Sequence, residues 1–221
     1  MYYLYTHSGC MFLLFNHFMQ IVDIEPYRIY ITDNQDVDVD CILWPYYKCQ
    51  QIHSNVIYLR EDGQEFIQQQ ADAIVSNILN TKIAVRVADC SPIVLMWKKY
   101  FAVVHAWWKW LQWWILSKTI ELLQSKDEQS IKMFVWPNIK SCCYEVWSEF
   151  LEYFNDKYLS TRESKLYLDM IKIITDTAMT YWIASDDIII DSDCTCCSGK
   201  YFSYRGGDKD KRMMIAVEKI F

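Results

Sequence analysis

The chain has 221 residues, 52% of them apolar and 23% charged, with a formal net charge of −6. These values argue against a disordered tail and a nucleic-acid binder held by bulk positive charge, and the length favours one sizeable core over two. Glycine is only 5 of 221 residues, about 2% where about 7% is usual, whereas tryptophan reaches 10.

Residues 1–50 are rich in aromatics and weakly patterned, with short strands expected at Ile29–Ile31 and Ile42–Trp44. The apolar run 11–15 has no basic segment before it and no small-residue cleavage pattern, and no stretch reaches 18 apolar residues. Export and membrane spanning are therefore not expected. A strand is expected over Val56–Leu59, and Ile83–Val87 alternates as a strand does. Pro92–Leu95 and Phe101–Val104 follow as further strands. Trp108–Leu123 has helical length without Gly or Pro, and a charged connection runs over Ser125–Ser130. A strand over Met133–Val135 meets Pro137.

Cys142–Tyr158 and Ser164–Thr177 carry apolar residues at three- and four-residue spacing, which predicts two helices. Ile188–Ile190 reads as a buried strand and Arg212–Val217 as the last one. Strands and helices interleave without strict alternation. The expectation is a single α+β domain over 1–221, with mixed β-sheets flanked by helices.

Nine scattered cysteines, odd in number, in a chain too long for a small disulfide scaffold point to reduced thiols and a cytoplasmic location. Only four histidines exist, at 7, 17, 53 and 105. His105 ends an apolar strand ahead of a helix, His53 lies in a polar loop, and Cys90 falls at a turn between two strands. Two neutral imidazoles and one thiolate would satisfy zinc and leave a fourth position open, as catalytic zinc requires. Their spacing alone does not single out this set; a buried cysteine with two ordinary histidines fits it as well. A thiol hydrolase, with Cys90 as nucleophile and His105 as its base, is the alternative chemistry. Asp89 is expected to be a turn residue. Cys194 and Cys197 have C-x-x-C spacing but no second such pair, so these and Cys142–Cys143 are expected to be core or loop thiols. Copper oxidase chemistry would want more histidine, so copper is less expected than zinc.

Several strings resemble the laccase-domain family, also labelled polyphenol oxidases and understood as purine nucleoside phosphorylases. Gln51-Ile52-His53-Ser54 resembles Q-V-H-G, Ala71-Asp72-Ala73-Ile74-Val75 resembles A-D-A-L-V, and Ala88-Asp89-Cys90-Ser91-Pro92 resembles A-D-C-x-P. Val104-His105-Ala106 with Trp108 and Lys109 resembles V-H-A-G-W-R-G. Pro137, Ile139 and Cys142-Cys143-Tyr144-Glu145-Val146 resemble G-P-x-I-x-x-C-C-Y-E-V, and Cys194-Thr195 with Phe202-Ser203-Tyr204-Arg205 resembles C-T-x-C…F-F-S-Y-R. The likeness covers roughly 50–215 and leaves the first 50 residues outside.

The resemblance implies that His53, Cys90 and His105 are catalytic and ligate zinc. It also implies phosphorolysis of adenosine, inosine and methylthioadenosine, with deamination of adenosine. The expected partners are purine nucleosides and phosphate, with no nucleic acid and no membrane, in a monomer or homodimer. Phosphorolysis needs an anion held beside C1′ of the ribose, and Lys109 and Arg205 are the candidate cations.

One departure from the family is systematic. Its glycines fall on Trp107, Trp110, Trp114, Trp136 and Trp147, and no glycine stands between Gly63 and Gly199. Engineered substitution or recoding is one expectation. Overpacking costs about 1–3 kcal/mol per site against the roughly 5–15 kcal/mol a domain holds, so a catalytically impaired variant is another. A dimer surface or rearranged core built of these indoles is the third.

Overall fold

Strands that are apolar at every position need cover on both faces, and two of the central strands here have no exposed residue. A computed structural model describes residues 19–35, 43, 45–65, 67–109, 114–126 and 131–221. In chain order the elements are β1 (Gln20–Ile24), β2 (Tyr27–Ile31), β3 (Tyr46–Lys48), β4 (Ile57–Arg60), β5 (Ala73–Ser76), β6 (Lys82–Val87), β7 (Ser91–Met96) and β8 (Phe101–Ala106). After these come α1 (Ile115–Gln124), β9 (Lys132–Val135), β10 (Glu145–Val146), α2 (Phe150–Tyr153), β11 (Leu159–Arg162), β12 (Lys165–Leu168), α3 (Met170–Thr180), β13 (Ile188–Ile190) and β14 (Met213–Lys219).

Among the described residues these form a six-stranded sheet in the order β13-β9-β7-β8-β5-β4, a five-stranded sheet β1-β2-β14-β6-β3 and a small sheet β10-β12-β11. Parallel pairs (β13·β9, β4·β5, β3·β6) sit among antiparallel ones. The protein is a single α+β domain with mixed sheets, as the interleaved pattern implies. No helix of the described residues is long and apolar enough to cross a membrane.

Strand alternation divides the core. Ile74, Val94, Met96, Phe101, Val103 and Phe134 face the five-stranded sheet and meet Ile29, Val85, Ile215 and Val217 there. The alternate residues, Ala73, Val75, Ile93, Leu95, Ala102 and Val104, pack against α1 and α3 through Ile115, Leu116, Ile120, Ile173 and Ile174. Pro92 sits in a central strand without breaking it. It lies opposite His105, whose N–H turns away from β7 to donate to the Asp72 carbonyl at 2.7 Å. Pro92 therefore faces a pair that needs no donor from it.

The sequence expectations at Ile29–Ile31, Val56–Leu59, Ile83–Val87, Pro92–Leu95, Phe101–Val104, Met133–Val135 and Arg212–Val217 correspond to β2, β4, β6, β7, β8, β9 and β14. Others need correction. Of Ile42–Trp44, residues 42 and 44 lie outside the described residues and Leu43 is helical; the strand there is Tyr46–Lys48. In place of a Trp108–Leu123 helix, Trp108 and Lys109 are helical, 110–113 lie outside the described residues, and Trp114 at φ 75° breaks the path before α1. The Cys142–Tyr158 segment is a turn, β10, α2 and a short 3-10 turn, because Glu145 and Val146 pair with Tyr167 and Leu166. The Ser164–Thr177 segment splits as well. Glu163 and Ser164 both have positive φ (49° and 62°), closing a two-residue hairpin across Arg162 and Lys165, and α3 begins only after Asp169 caps Lys172 N–H at 3.0 Å. Ile188–Ile190 is a strand but not a buried one: β13 is a sheet edge, with Ile189 at 41% and Ile190 at 37% exposure.

Helix α3 ends in a Schellman motif, Trp182 N–H donating to Met179 O at 3.1 Å and Ile183 N–H to Ala178 O at 3.2 Å. That places Trp182 at the left-handed position normally held by glycine, at φ 65° and 92% exposed. Trp114, 65% exposed, has the same handedness. A left-handed conformation costs a side-chain-bearing residue about 1–2 kcal/mol. Trp114→Gly and Trp182→Gly are each expected to raise stability by about 1 kcal/mol in urea titrations. Trp108, packed on Phe150 at 4.4 Å between ring centroids, should instead lose about 3–5 kcal/mol on replacement by Ala.

Candidate functional site

The alternation that sends Phe101 and Val103 between the two large sheets sends His105 the same way, at the rim where β8 ends. Its side chain is 3% exposed. Cys90, half-buried, sits in the turn that carries the chain from β6 of one sheet to β7 of the other. His53 comes from the loop after β3 and is held at φ 53°. The ligand atoms of His53, Cys90 and His105 all lie within 4.8 Å of one another. The two imidazoles meet edge to face with centroids 4.9 Å apart.

One carboxylate arranges this group. Asp72 Oδ1 accepts from His105 Nδ1 at 2.7 Å and from His53 N–H at 3.1 Å. Asp72 Oδ2 accepts from Ser54 N–H at 2.6 Å, Ser54 Oγ at 2.8 Å and Ile52 N–H at 3.3 Å. Burial works to raise the Asp72 pKa, but these donors outweigh it and hold the carboxyl below its ordinary value. With Nδ1 of His105 engaged, its Nε2 is the atom turned to Cys90 and His53. Burial likewise disfavours charge on His105, yet the Cys90 sulfur and Asp72 raise it to about 9. Cys90 is brought down to about 7 by the two histidines against its own burial. A thiol poised to ionise, two imidazoles and a carboxylate behind one of them fit a three-ligand metal centre.

The group opens into a cavity of about 740 Å³. Trp107, Trp108, Tyr144, Trp147, Phe150 and Tyr204 wall it with aromatic surface, and Arg86, Arg205 and Arg212 supply positive charge. Trp107 stands edge-on to His53 at 5.2 Å. Arg205 lies at 5.4 Å from the Tyr144 ring and donates from Nη1 to the Glu145 carbonyl at 2.9 Å. Asp89 is a turn residue at φ 78°, and its carboxylate takes Thr195 Oγ1 at 2.6 Å and Arg205 N–H at 2.7 Å. Gln51 acts as a substitute strand partner for β6, giving Nε2 to Arg86 O at 2.8 Å and taking Arg86 N–H at 2.7 Å.

Of the residues proposed from sequence, His53, Cys90 and His105 converge, and Arg205 joins them on the cavity wall. Lys109 does not line the cavity; it is exposed, its ammonium 5.5 Å from the Trp107 ring and 5.3 Å from that of Trp108. Sequence reasoning passed over Asp72, although a carboxylate inside the otherwise apolar Ala71–Val75 run needed an explanation. Arg86 and Arg212 carried no signal of their own. The four thiols Cys142, Cys143, Cys194 and Cys197, expected to be separate core or loop residues, gather in a cluster of their own.

The family model described as multi-copper polyphenol oxidoreductase laccase matches residues 32–218. A purine nucleoside phosphorylase of Aquifex aeolicus is 37% identical over 152 residues, 69% of this chain and 72% of that protein. Adenosine deaminase RL5, of an unknown prokaryotic organism, is 25% identical over 199 residues, covering 80% of this chain and 74% of its own. Among solved structures, hypothetical protein YfiH of Bacillus licheniformis superposes with a TM-score of 0.76 at 21% identity, over 87% of this chain and 92% of that one; the likeness is one of fold.

Asp72→Asn keeps the shape of the side chain and removes its charge. It is expected to weaken metal binding at His53, Cys90 and His105 by about 10–100-fold, read by competition with a chromogenic chelator. Unchanged affinity would mean the carboxylate only closes the loop.

Proposed function

Because the chain belongs to the multi-copper polyphenol oxidoreductase laccase family, we propose that it is a zinc-dependent purine nucleoside phosphorylase. Its substrates are adenosine, inosine and methylthioadenosine with phosphate, and it deaminates adenosine as a side activity. The observation that carries this reading is the meeting of His53, Cys90 and His105 at the floor of an aromatic cavity that also holds arginines. A relative named purine nucleoside phosphorylase and another named adenosine deaminase support it.

His53, Cys90 and His105 hold the ion, and zinc, when bound, supplies a Lewis acid with one open position. The choice of zinc over copper rests on donor number, since among the described residues only two histidines are present. Trp108, Tyr144 and Phe150 offer faces on which a purine can stack, an interaction worth about 1–3 kcal/mol per base. Arg205 orients phosphate towards C1′ of the ribose, with Arg212 and Arg86 on the same cavity; Lys109, outside it, has a weaker claim. The cations offset the desolvation of the anion and set it in line as the C1′–N9 bond breaks. Asp72 keeps His105 in one tautomer and prevents the ring from turning.

The second reading, a thiol hydrolase, is favoured by the lowered pKa of Cys90 beside His105. Purified protein is expected to carry zinc at this centre, to release adenine from adenosine only with phosphate present, and to resist alkylation at Cys90. A fast-reacting Cys90 in protein that does not turn over nucleosides would favour the hydrolase. His53→Ala should empty the centre and abolish turnover. Arg205→Ala should raise KM for phosphate about 10–100-fold while metal content stays constant, a loss of about 1.5–3 kcal/mol as for a hydrogen bond to a charged group.

A further inference from the structure

The turns that follow β9 and β13 lie side by side. Asn138 and Cys194 form an isolated parallel bridge, and Thr195 N–H donates to Asn138 O at 3.2 Å. This pairing brings two adjacent cysteines, Cys142 and Cys143, against the C-x-x-C pair of Cys194 and Cys197. All four sulfurs lie within 4.8 Å of one another, and Cys142 Sγ is 3.8 Å from Cys197 Sγ. We propose that Cys142, Cys143, Cys194 and Cys197 form a structural metal site that takes zinc(II) as a closed four-thiolate centre, separate from the centre at His53.

Three features of the geometry support it. A Zn–S distance of about 2.3 Å gives a tetrahedron edge of about 3.8 Å, so the sulfurs stand near the spacing that one ion imposes. An iron–sulfur cluster would need room between the thiolates for inorganic sulfide, which this spacing does not leave. Thiols are weak donors with little to offer one another, whereas one soft metal ion would engage all four sulfurs at once. The surroundings also suit thiolates. Lys140 N–H donates to Cys194 Sγ at 3.4 Å, and the amides of Cys196 and Cys197 face the same sulfur, as the backbone of a C-x-x-C turn does around a metal. Binding exchanges four S–H protons for one zinc(II) and leaves two negative charges. Cations stand close by: Lys140 Nζ bonds the Asp191 carbonyl at 2.8 Å, Arg162 bonds the Ser141 carbonyl, and Arg205 Nη1 lies 3.5 Å from the Cys143 carbonyl.

The ion would clamp the two turns that lead into Tyr144 and Arg205, so it would set one wall of the cavity. His53→Ala protein, which lacks a ligand of the other centre, is expected to retain about one equivalent of zinc after loading under reducing conditions. The added pair Cys142→Ser and Cys197→Ser, both exposed positions, should release it. Cobalt(II) in the His53→Ala protein should show the thiolate charge-transfer bands of a four-sulfur tetrahedron. On the unsubstituted chain, Cys142 and Cys197 should resist alkylation when zinc is present and react once it is chelated. Zinc that survives both serine substitutions overturns the proposal, as does a cluster that takes none. A Cys142–Cys197 disulfide that forms in the presence of reductant and excess zinc, seen as the loss of two hydrogens in the intact mass, overturns it too.

A different observation carries a second inference. Trp114 and Trp182 occupy left-handed positions, the latter at a helix terminus where glycine is the usual residue. Trp136, 1% exposed, buries an indole N–H that has no partner among the described residues, a feature it shares with Trp97. Trp107 meets His53 edge to face, and Trp147 is 73% exposed. Trp107, Trp114, Trp136 and Trp147 fall on glycines of the motifs that the sequence resembles. Trp108, between Phe150, Tyr153 and Phe154, is an ordinary packed indole. We infer that Trp107, Trp110, Trp114, Trp136, Trp147 and Trp182 are encoded by UGA, a codon one base from the glycine codon GGA, and that the source cell inserts glycine there. The gene should carry UGA at these six positions and UGG at Trp108. Peptides of the protein made in its own host should be lighter at each by the difference between an indolylmethyl group and a hydrogen. UGG at Trp114 or Trp182, or native peptides with tryptophan mass, refutes the inference.

Discussion

A buried carboxylate is costly unless nearly all its lone pairs are met, and the way Asp72 is met organises the rest of the molecule. Its five donors come from two places: the 52–54 loop that leaves the five-stranded sheet and the His105 ring at the end of a strand of the other. One anion thereby ties both sheets together at the rim where the cavity opens. His53 and His105 cannot drift apart without exposing that charge to an apolar interior. The solvation of Asp72 and the shape of the site are a single constraint.

Much of this was legible in the chain. Strands buried on both faces showed as apolar runs at β7, β8 and β9, and β6 showed by alternation, so all four could be placed within a residue or two. Two of the segments misread as long helices, 142–158 and 164–177, lose residues to the small sheet. Val146, Phe150 and Leu151 recur at helical spacing, but a turn at 141–143 and the pairing of Val146 with Leu166 take the first part of the segment, leaving Phe150 and Leu151 in the short α2. Tertiary pairing outweighed a local period of a few tenths of a kcal/mol per residue. The left-handed pair Glu163 and Ser164 belongs to residue types that do not advertise a hairpin.

The site was legible in part for a comparable reason. His53, Cys90 and His105 are residue types with few alternatives, and the motifs they lie in could be recognised. Arg86 and Arg212 reach the cavity only because β6 and the stretch before β14 are neighbours in the five-stranded sheet, a fact of pairing that no local pattern encodes. The thiol cluster was hidden likewise: it depends on a single bridge between Asn138 and Cys194, far apart in sequence.

The amide of Gln51, which stands in for a strand beside Arg86, bears on how the protein can vary. Beyond the end of β3, that side chain sets the alignment of the following loop against β6. Glutamate would offer the Arg86 carbonyl no donor, and asparagine would fall a methylene short. An insertion or deletion between residues 49 and 53, harmless in most surface loops, would shift the imidazole of His53 by a whole residue, so length variation among descendants of this chain should be confined elsewhere.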